Sequence, residues 1–576
     1  MAKKLPYTDL QNLPLAAAEF IRLVVKKMRY RKSVRADVMA ELAAHFEDAL
    51  KDCKTEEERD QRAKKLIADF GDMKLLAILL RRAKKRCRPL WRTVVARTFQ
   101  TIGALILCFV LYCVYISLGE PTISIDYLEQ ATRLARPVVD QSLNAAPLYQ
   151  KAIDAYKKDP NVPVEREPSP SHPASSPDKP PEKPVQTPGL LELIGDKDWV
   201  GKLDEKELSL LRQWVSDNAQ ALEYFRQAGQ KPHCWWYRQA RVDVLMAMLM
   251  PELSGIRNLG RLTCWQAKLK AYNGDIEGAL QDLLSCYQTG IHLKGPRSLI
   301  EQLVGIAIQA LFVQNALVVL SNRQIDDPLL KRFQDDLEIL MARDSHIIDY
   351  KVESYLGLDF IQNCYTDNGD GSGHLIPGRL KEYWKLIGGY GTENELAEYA
   401  RFLAMSLTGA DRDQMKREFQ KCYTAAQQWA HKTPWQLKNQ NVDTEMGMRG
   451  WSVFRRARYW PVLVFVPAIA RAGELSHRAK AQIEGRVAII AAIRYKQAHG
   501  DYPENLDRLL KAGLLRKLPM DPYSDKPLVY RRTDDAFTLY SLGRDFTDDA
   551  GRVSRDPTGR VQNWPDKGDA VLWPLD

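Results

Sequence analysis

The chain has 576 residues, 45% hydrophobic and 27% charged, with a formal net charge of +10. That length exceeds the ~250–300 residues at which single cores stop growing, so several folded pieces are expected, and the ordinary composition excludes a wholly disordered or fibrous chain. Much of the positive excess stands in one run beside an apolar segment, where anionic lipid accounts for it more simply than nucleic acid, and no nucleic-acid partner is expected.

Residues 1–97 read as short amphipathic helices that pack into a small bundle. Ser33 is placed to cap a helix carrying Val38, Leu42, Ala43, Phe46 and Leu50 at helical spacing. Thr55, before a Glu-rich first turn, caps another that ends at Gly71, and Met73 to Leu80 opens a third. The stretches Glu41-Leu42-Ala43-Ala44-His45-Phe46-Glu47-Asp48 and Ile67-Ala68-Asp69-Phe70-Gly71-Asp72 resemble the HAAS or permease-prefix domain, over roughly residues 20 to 86. The resemblance implies a helical domain preceding membrane segments in a bacterial protein. His45 beside Glu41 has two readings, a metal or proton switch and a helix-surface histidine.

Residues 98–118 carry no charge, and Arg81, Arg82, Lys84, Lys85, Arg86, Arg88, Arg92 and Arg97 stand just before them. About twenty apolar residues at about 1.5 Å each match a bilayer core of about 30 Å. The basic excess belongs on the cytoplasmic side, so the expected protein is single-pass in the inner membrane, with its N-terminus cytoplasmic and the remainder extracytoplasmic. The lipid bilayer is its first expected partner.

Residues 119–158 read as a stem with some helix over Tyr149 to Tyr156. From 159 to 189 the chain is rich in Pro, Ser, Glu and Lys, and such a segment buries too little surface to offset its ordering entropy; it is expected as a disordered linker, with a docking motif as the alternative.

Residues 190–475 read as helix after helix, a large irregular extracytoplasmic domain. Leu259, Leu262, Trp265, Leu269 and Tyr272 line one helix, Asn273-Gly274 turns the chain, and Asp275 caps a second carrying Ile276, Ala279, Leu280, Leu283, Leu284 and Tyr287. This pair resembles a tetratricopeptide-type (TPR-like) hairpin, without a regular 34-residue repeat. Leu299 to Leu320 is apolar but holds Glu301, Gln302, Gln309 and Gln314, which favours a buried core helix over a second span.

The nine cysteines are odd in number and scattered, with no CxxC pair, so neither a disulfide framework nor a zinc site is expected; one bridge, such as Cys234 to Cys264, stays open. No GxSxG, HExxH, Walker loop or dinucleotide fingerprint occurs. The loop Thr366 to His374 is Gly- and Asp-rich, but places Thr366 where an EF-hand needs Asp, so a connector is the simpler reading.

In residues 476–576 a helix over about Ala479 to Ala498 precedes Gly500-Asp501-Tyr502-Pro503, then Leu518-Pro519-Met520-Asp521-Pro522. Two short strands, Leu528 to Tyr530 and Phe537 to Tyr540, lead to Ser541-Leu542-Gly543-Arg544-Asp545. This ordered series resembles the head of the type II secretion major pseudopilin, and it implies a small α+β domain. The resemblance also implies a structural calcium held by Leu542, through its carbonyl, and Asp545, with Asp548 and Asp549 as further ligands; a solvated acidic turn is the alternative. The apolar assembly helix of pseudopilins is missing, since Pro461 to Ala470 is short and interrupted by Pro467.

The fold class expected is therefore mainly α. The function expected is that of a non-enzymatic envelope protein, an interaction or scaffold module with a protein partner outside the cytoplasm and no identified small-molecule substrate. The alternatives are a signalling or type II secretion-linked subunit and an envelope hydrolase around His233, His346, Glu353 and Asp359.

Overall fold

The computed structural model describes residues 10–86, 90–160, 189–195, 197–238, 244–248, 250–386, 394–444, 447–466, 469–533, 535–555, 562 and 564–574. Most of the Pro-rich linker, Cys87, His172 and Pro467 lie outside the described residues. Among those described, the chain forms 23 α-helices and one three-stranded sheet, so it is mainly helical. It divides into two compact units, Met1–Tyr112 and Cys113–Asp576.

The first unit contains α1 (Leu15–Lys27), α2 (Lys32–Ala49), α3 (Glu56–Asp69) and α4 (Met73–Arg86). Ala17, Ile21 and Val24 recur on one buried face of α1, which contacts the other three helices. Phe20, Phe46 and Phe70 meet with ring centroids 5.7 to 6.2 Å apart, pairs that each add about 0.5–1.5 kcal/mol beyond area burial. Thr55 accepts from the Glu58 amide at 3.4 Å, as its position suggests. Ser33 does not cap: α2 begins at Lys32, two residues earlier than a Ser33 cap would place it, because Val34 and Val38 are drawn onto the core and extend the helix past it. Glu41 pairs with Lys84, and His45 packs edge-on to Phe70, so the two do not form a joint site.

The next helix, α5 (Leu90–Ser117), includes the point at which the two units divide. The second unit continues with α6 (Tyr127–Ala135), α7 (Ala146–Ala155), α8 (Leu190–Leu193), α9 (Glu205–Asp217) and α10 (Ala219–Gly229). Its centre is the antiparallel series α11 (Pro251–Tyr272), α12 (Ile276–His292) and α13 (Leu299–Asn322), flanked by α14 (Asp327–Arg343). The turn before α12 uses Gly274 at φ +95°, and Asp275 accepts from the Gly278 amide at 2.9 Å. Ser298 and Glu301 cap α13 reciprocally. Among the described residues two helices are long and apolar enough to cross a membrane: Val94–Ser117 within α5, whose most apolar stretch is 6% buried, and α13, whose most apolar stretch is 61% buried. In α13 the side chains of Glu301, Gln302 and Gln309 are buried and hydrogen-bonded, the polar signature that distinguishes a core helix.

A second core gathers α15 (Lys351–Cys364), α16 (Pro377–Leu386), α17 (Glu395–Thr408) and α18 (Arg412–Ala430) around Phe360, Phe402 and Phe419. Short helices follow: α19 (Pro434–Asn439), α20 (Val453–Arg458) and α21 (Trp460–Phe465). The long α22 (Ile469–His499) leads through α23 (Leu506–Lys511) to β1 (Val529–Arg532), β2 (Phe537–Ser541) and β3 (Ala570–Trp573). The sheet is antiparallel in that order, with Tyr530 opposite Leu539 and Ser541 opposite Ala570.

This differs from the sequence-based division in four ways. Ala145, Tyr149 and Ala152, expected in a stem, are buried in the same core as α11 to α13, because α7 lies against α10 and α11. The α22 helix starts ten residues before Ala479, and a third strand, β3, completes the sheet. Ile483, Val487, Leu539 and Leu572 join the same cluster, so the C-terminal residues share a core with the helical array.

Candidate functional site

The calcium ligands implied by the pseudopilin resemblance fall in one loop but face different partners. Asp545 accepts from the Thr547 and Gly568 amides, at 3.2 and 2.7 Å. Asp548 turns away to Arg531, at 3.0 Å, and to the Tyr540 hydroxyl, at 2.8 Å. Leu542 gives its amide to Asp521 at 3.3 Å, and Asp549 is half-buried beside them. Among the described residues no group of three or more His, Cys, Asp or Glu side chains is placed to hold a metal. The organiser of the loop is Asp521, which sequence reading left without a role. Its buried carboxylate accepts from the Ser541 and Ser524 hydroxyls at 2.6 and 2.9 Å and from the Tyr523 amide at 3.1 Å. Gly543, at φ +72°, brings its backbone against the Gly568 carbonyl, where a Cβ has no room. The motif thus ties three chain segments together through hydrogen bonds.

The Gly-rich loop from Thr366 to His374 acts as a connector. Arg412 holds Asp367 at 2.6 Å and gives its amide to Gly373, while His374 Nε2 lies 3.2 Å from the Leu118 carbonyl at the end of α5.

The residues considered for hydrolysis are dispersed to separate tasks. Glu353 accepts from the Leu299 amide at 2.9 Å, and Asp359 from the Leu245 amide at 2.8 Å. The His233 carbonyl accepts from the Ala145 amide at 2.8 Å. His346 alone of the four borders a described cavity, of about 410 Å³, with Lys480 and Glu484. Burial pushes its imidazole down to about 4, against the pull of Asp344. Glu484 is held by Lys517 at 2.6 Å, and the lining includes no Ser, Thr or Cys nucleophile. The cysteine geometry also differs from the pairing left open: Cys264 faces Cys286 across α11 and α12 at 3.9 Å, and both are free thiols.

A cleft of about 1020 Å³ opens in the second unit, between α18, α19 and α20 on one side and the start of α22 with the loop after β2 on the other. Six cationic side chains line it: Lys432, Lys438, Arg449, Arg456, Arg471 and Arg544. The lining holds one carboxylate, Glu474, already engaged by Arg478, Arg544 and the Tyr523 hydroxyl. Burial opposes its ionisation, but those three donors outweigh burial and hold the carboxyl below its ordinary value, so it stays charged and occupied. Burial holds His477 neutral at pH 7, with Nε2 3.1 Å from the Ala430 carbonyl. Lys432 reaches Gln440 at 2.6 Å and Lys438 lies 3.8 Å above the Phe546 ring, both uncharged partners. Trp429, Leu437, Met448 and Leu463 supply apolar wall. Clefts that combine apolar walls with a few convergent charges are the usual form of small-molecule sites.

Sequence reading missed this cleft because its cations are spread from Lys432 to Arg544 on five segments. The available signal was the density of Arg between 449 and 458. Comparison with family models, curated proteins and solved structures finds no match to the chain.

Proposed function

We propose that the protein is a single-pass envelope protein whose residues 1–97 are cytoplasmic and whose residues beyond 118 form an extracytoplasmic interaction module. The observation that carries this reading is the contrast between the two apolar helices. α5 presents Phe99, Leu105, Phe109 and Leu111 more than half exposed, whereas α13 turns its apolar surface into the core. An exposed apolar surface, uncharged from residue 98 to the end of α5, costs free energy in water and is stabilised by hydrocarbon. The basic run from Arg81 to Arg97 supports the cytoplasmic placement of residues 1–97. The second unit then serves recognition, with the basic cleft as its candidate contact.

The test is protease added to intact spheroplasts. The expected result is cleavage within residues 161–188 and a protected N-terminal fragment that sediments with membranes. Protection of the C-terminal region with loss of the N-terminus would invert the orientation, and a chain that stays in the soluble fraction would end the membrane reading.

A further inference from the structure

The cleft lies wholly within the second unit, so its chemistry stands apart from the question of membrane orientation. Its charge is unbalanced. Arg456 and Arg471 have no carboxylate partner among the described residues, Lys432 and Lys438 are met by an amide and a ring, and the single lining carboxylate is already shared by two arginines. Uncompensated like charges converging on one concavity repel each other and raise its positive potential, which an anion relieves. A lone carboxylate brings one charge. A phosphate ester brings about −1.5 to −2 and three acceptor oxygens, and arginine's planar fork binds it through paired hydrogen bonds. Beside the cations, Trp429, Leu437, Met448 and Leu463 offer an apolar surface of the kind an organic portion covers.

The rim adds a second observation. The helix that sends Arg456 into the cleft, α20, leaves Val453 and Phe454 80% and 88% exposed, with Arg455 paired to Glu418 and Arg458, among the described residues, met only by the Gln414 amide alongside. The Arg458 carbonyl accepts from the Ala410 amide, two residues before Arg412, whose own amide bonds the loop holding the end of α5. The rim is therefore apolar and basic together, as suits an amphiphile.

We propose that this cleft binds a phosphate ester, with the phosphate on Arg456, Arg471 and Lys432 and the organic portion along Trp429 and Met448. The same chemistry is offered by a phospholipid headgroup and by a soluble phosphate. The test uses the full chain in neutral detergent. One arm is calorimetric titration with inorganic pyrophosphate. The other is cross-linking with photoreactive phosphatidylglycerol, with phosphatidylcholine as the zwitterionic comparison and labelled peptides located by mass spectrometry. Each is repeated on the double variant Arg456→Gln and Arg471→Gln. Both side chains are exposed, so the variant's thermal melt is expected to match the parent.

Labelling of peptides within 429–471, at least tenfold weaker with phosphatidylcholine and in the variant, assigns the site to a lipid headgroup. Pyrophosphate binding that weakens at least tenfold in the variant, without lipid labelling, assigns it to a soluble phosphate ester. Absence of both, or binding unchanged in a variant with the parent's melt, overturns the proposal. The pyrophosphate arm is read the same way whichever side of the membrane the unit occupies.

Discussion

At the scale of single residues, burial decides protonation. His292 in α12 is enclosed by the Tyr149 hydroxyl, 2.8 Å from Nδ1, and the Lys231 carbonyl, 2.9 Å from Nε2. Gln288 Nε2 also lies 2.8 Å from Nε2, so both ring nitrogens of the buried imidazole are met by polar groups. Burial drives its pKa down to about 3, with Arg297 and His233 adding to the effect. An unfolded histidine takes up a proton near 6.5, whereas this one refuses it until about 3. The stability it contributes is whole above pH 6.5 and is lost as pH falls, by up to about 1.4 kcal/mol per pH unit. Lowering the pH from 7 to 5 should therefore cost ~2 kcal/mol through this residue. Urea unfolding at both pH values checks it: His292→Gln should flatten the dependence by that amount, and an unchanged pH difference in the variant rejects the assignment. Nothing in the sequence around His292 distinguished it from the seven other histidines that follow the apolar span, because its burial depends on Tyr149, 143 residues earlier in the chain. Asp521 and the basic cleft were hidden for the same reason, since each depends on groups from several distant segments.

At the scale of elements, α12 and α13 pass backbone to backbone. A Cβ built on Gly290 would stand 2.8 Å from the Gly305 carbonyl oxygen, and one on Gly305 would stand 2.6 Å from that of Gly290. Gly290→Ala should thus cost about 1–3 kcal/mol from overpacking, outweighing the ~1 kcal/mol that alanine contributes to helix propensity. Gly260, inside α11, would meet only ordinary contacts at 3.5 Å and beyond. Gly260→Ala should be neutral or stabilise by up to ~1 kcal/mol. Chemical denaturation of the two variants compares them directly, and equal effects would mean that the close approach does not control packing. The helices themselves were legible: periodicity and an Asn-Gly-Asp turn gave α11 and α12, and Glu301 with three glutamines gave α13 as a core helix. The start of α22 was not, because Arg471, Glu474, His477 and Arg478 interrupt its apolar pattern with groups that serve the cleft. Strand β3 was not legible either, since four residues after an Asp- and Gly-rich approach carry too little alternation to register.

At the scale of the whole molecule, motif order suggested a C-terminal module, whereas packing joins those residues to the helical array. Motifs report local backbone geometry, and the shared core is built from contacts between positions more than 150 residues apart. Ile483, Val487, Phe537 and Leu572 lie in one cluster with Ile308, Phe312 and Leu320. Arg486, buried, donates to the Val313 carbonyl of α13 at 3.1 Å and to the Leu572 carbonyl of β3 at 2.9 Å, and Arg494 reaches Asp327 and Gln334 of α14. Each large apolar side chain so buried contributes roughly 1.5–3 kcal/mol, and domains retain only about 5–15 kcal/mol in total, so removing this segment should exceed the margin. A chain ending at residue 475 should therefore lose cooperative folding of its second unit. In the full chain, amide hydrogens of α13 and β2 should lose protection at the same denaturant concentration when followed by hydrogen exchange and mass spectrometry, because one opening exposes both. Separate release of β2 while α13 stays protected, together with a cooperative melt for the shortened chain, would instead restore an autonomous C-terminal domain.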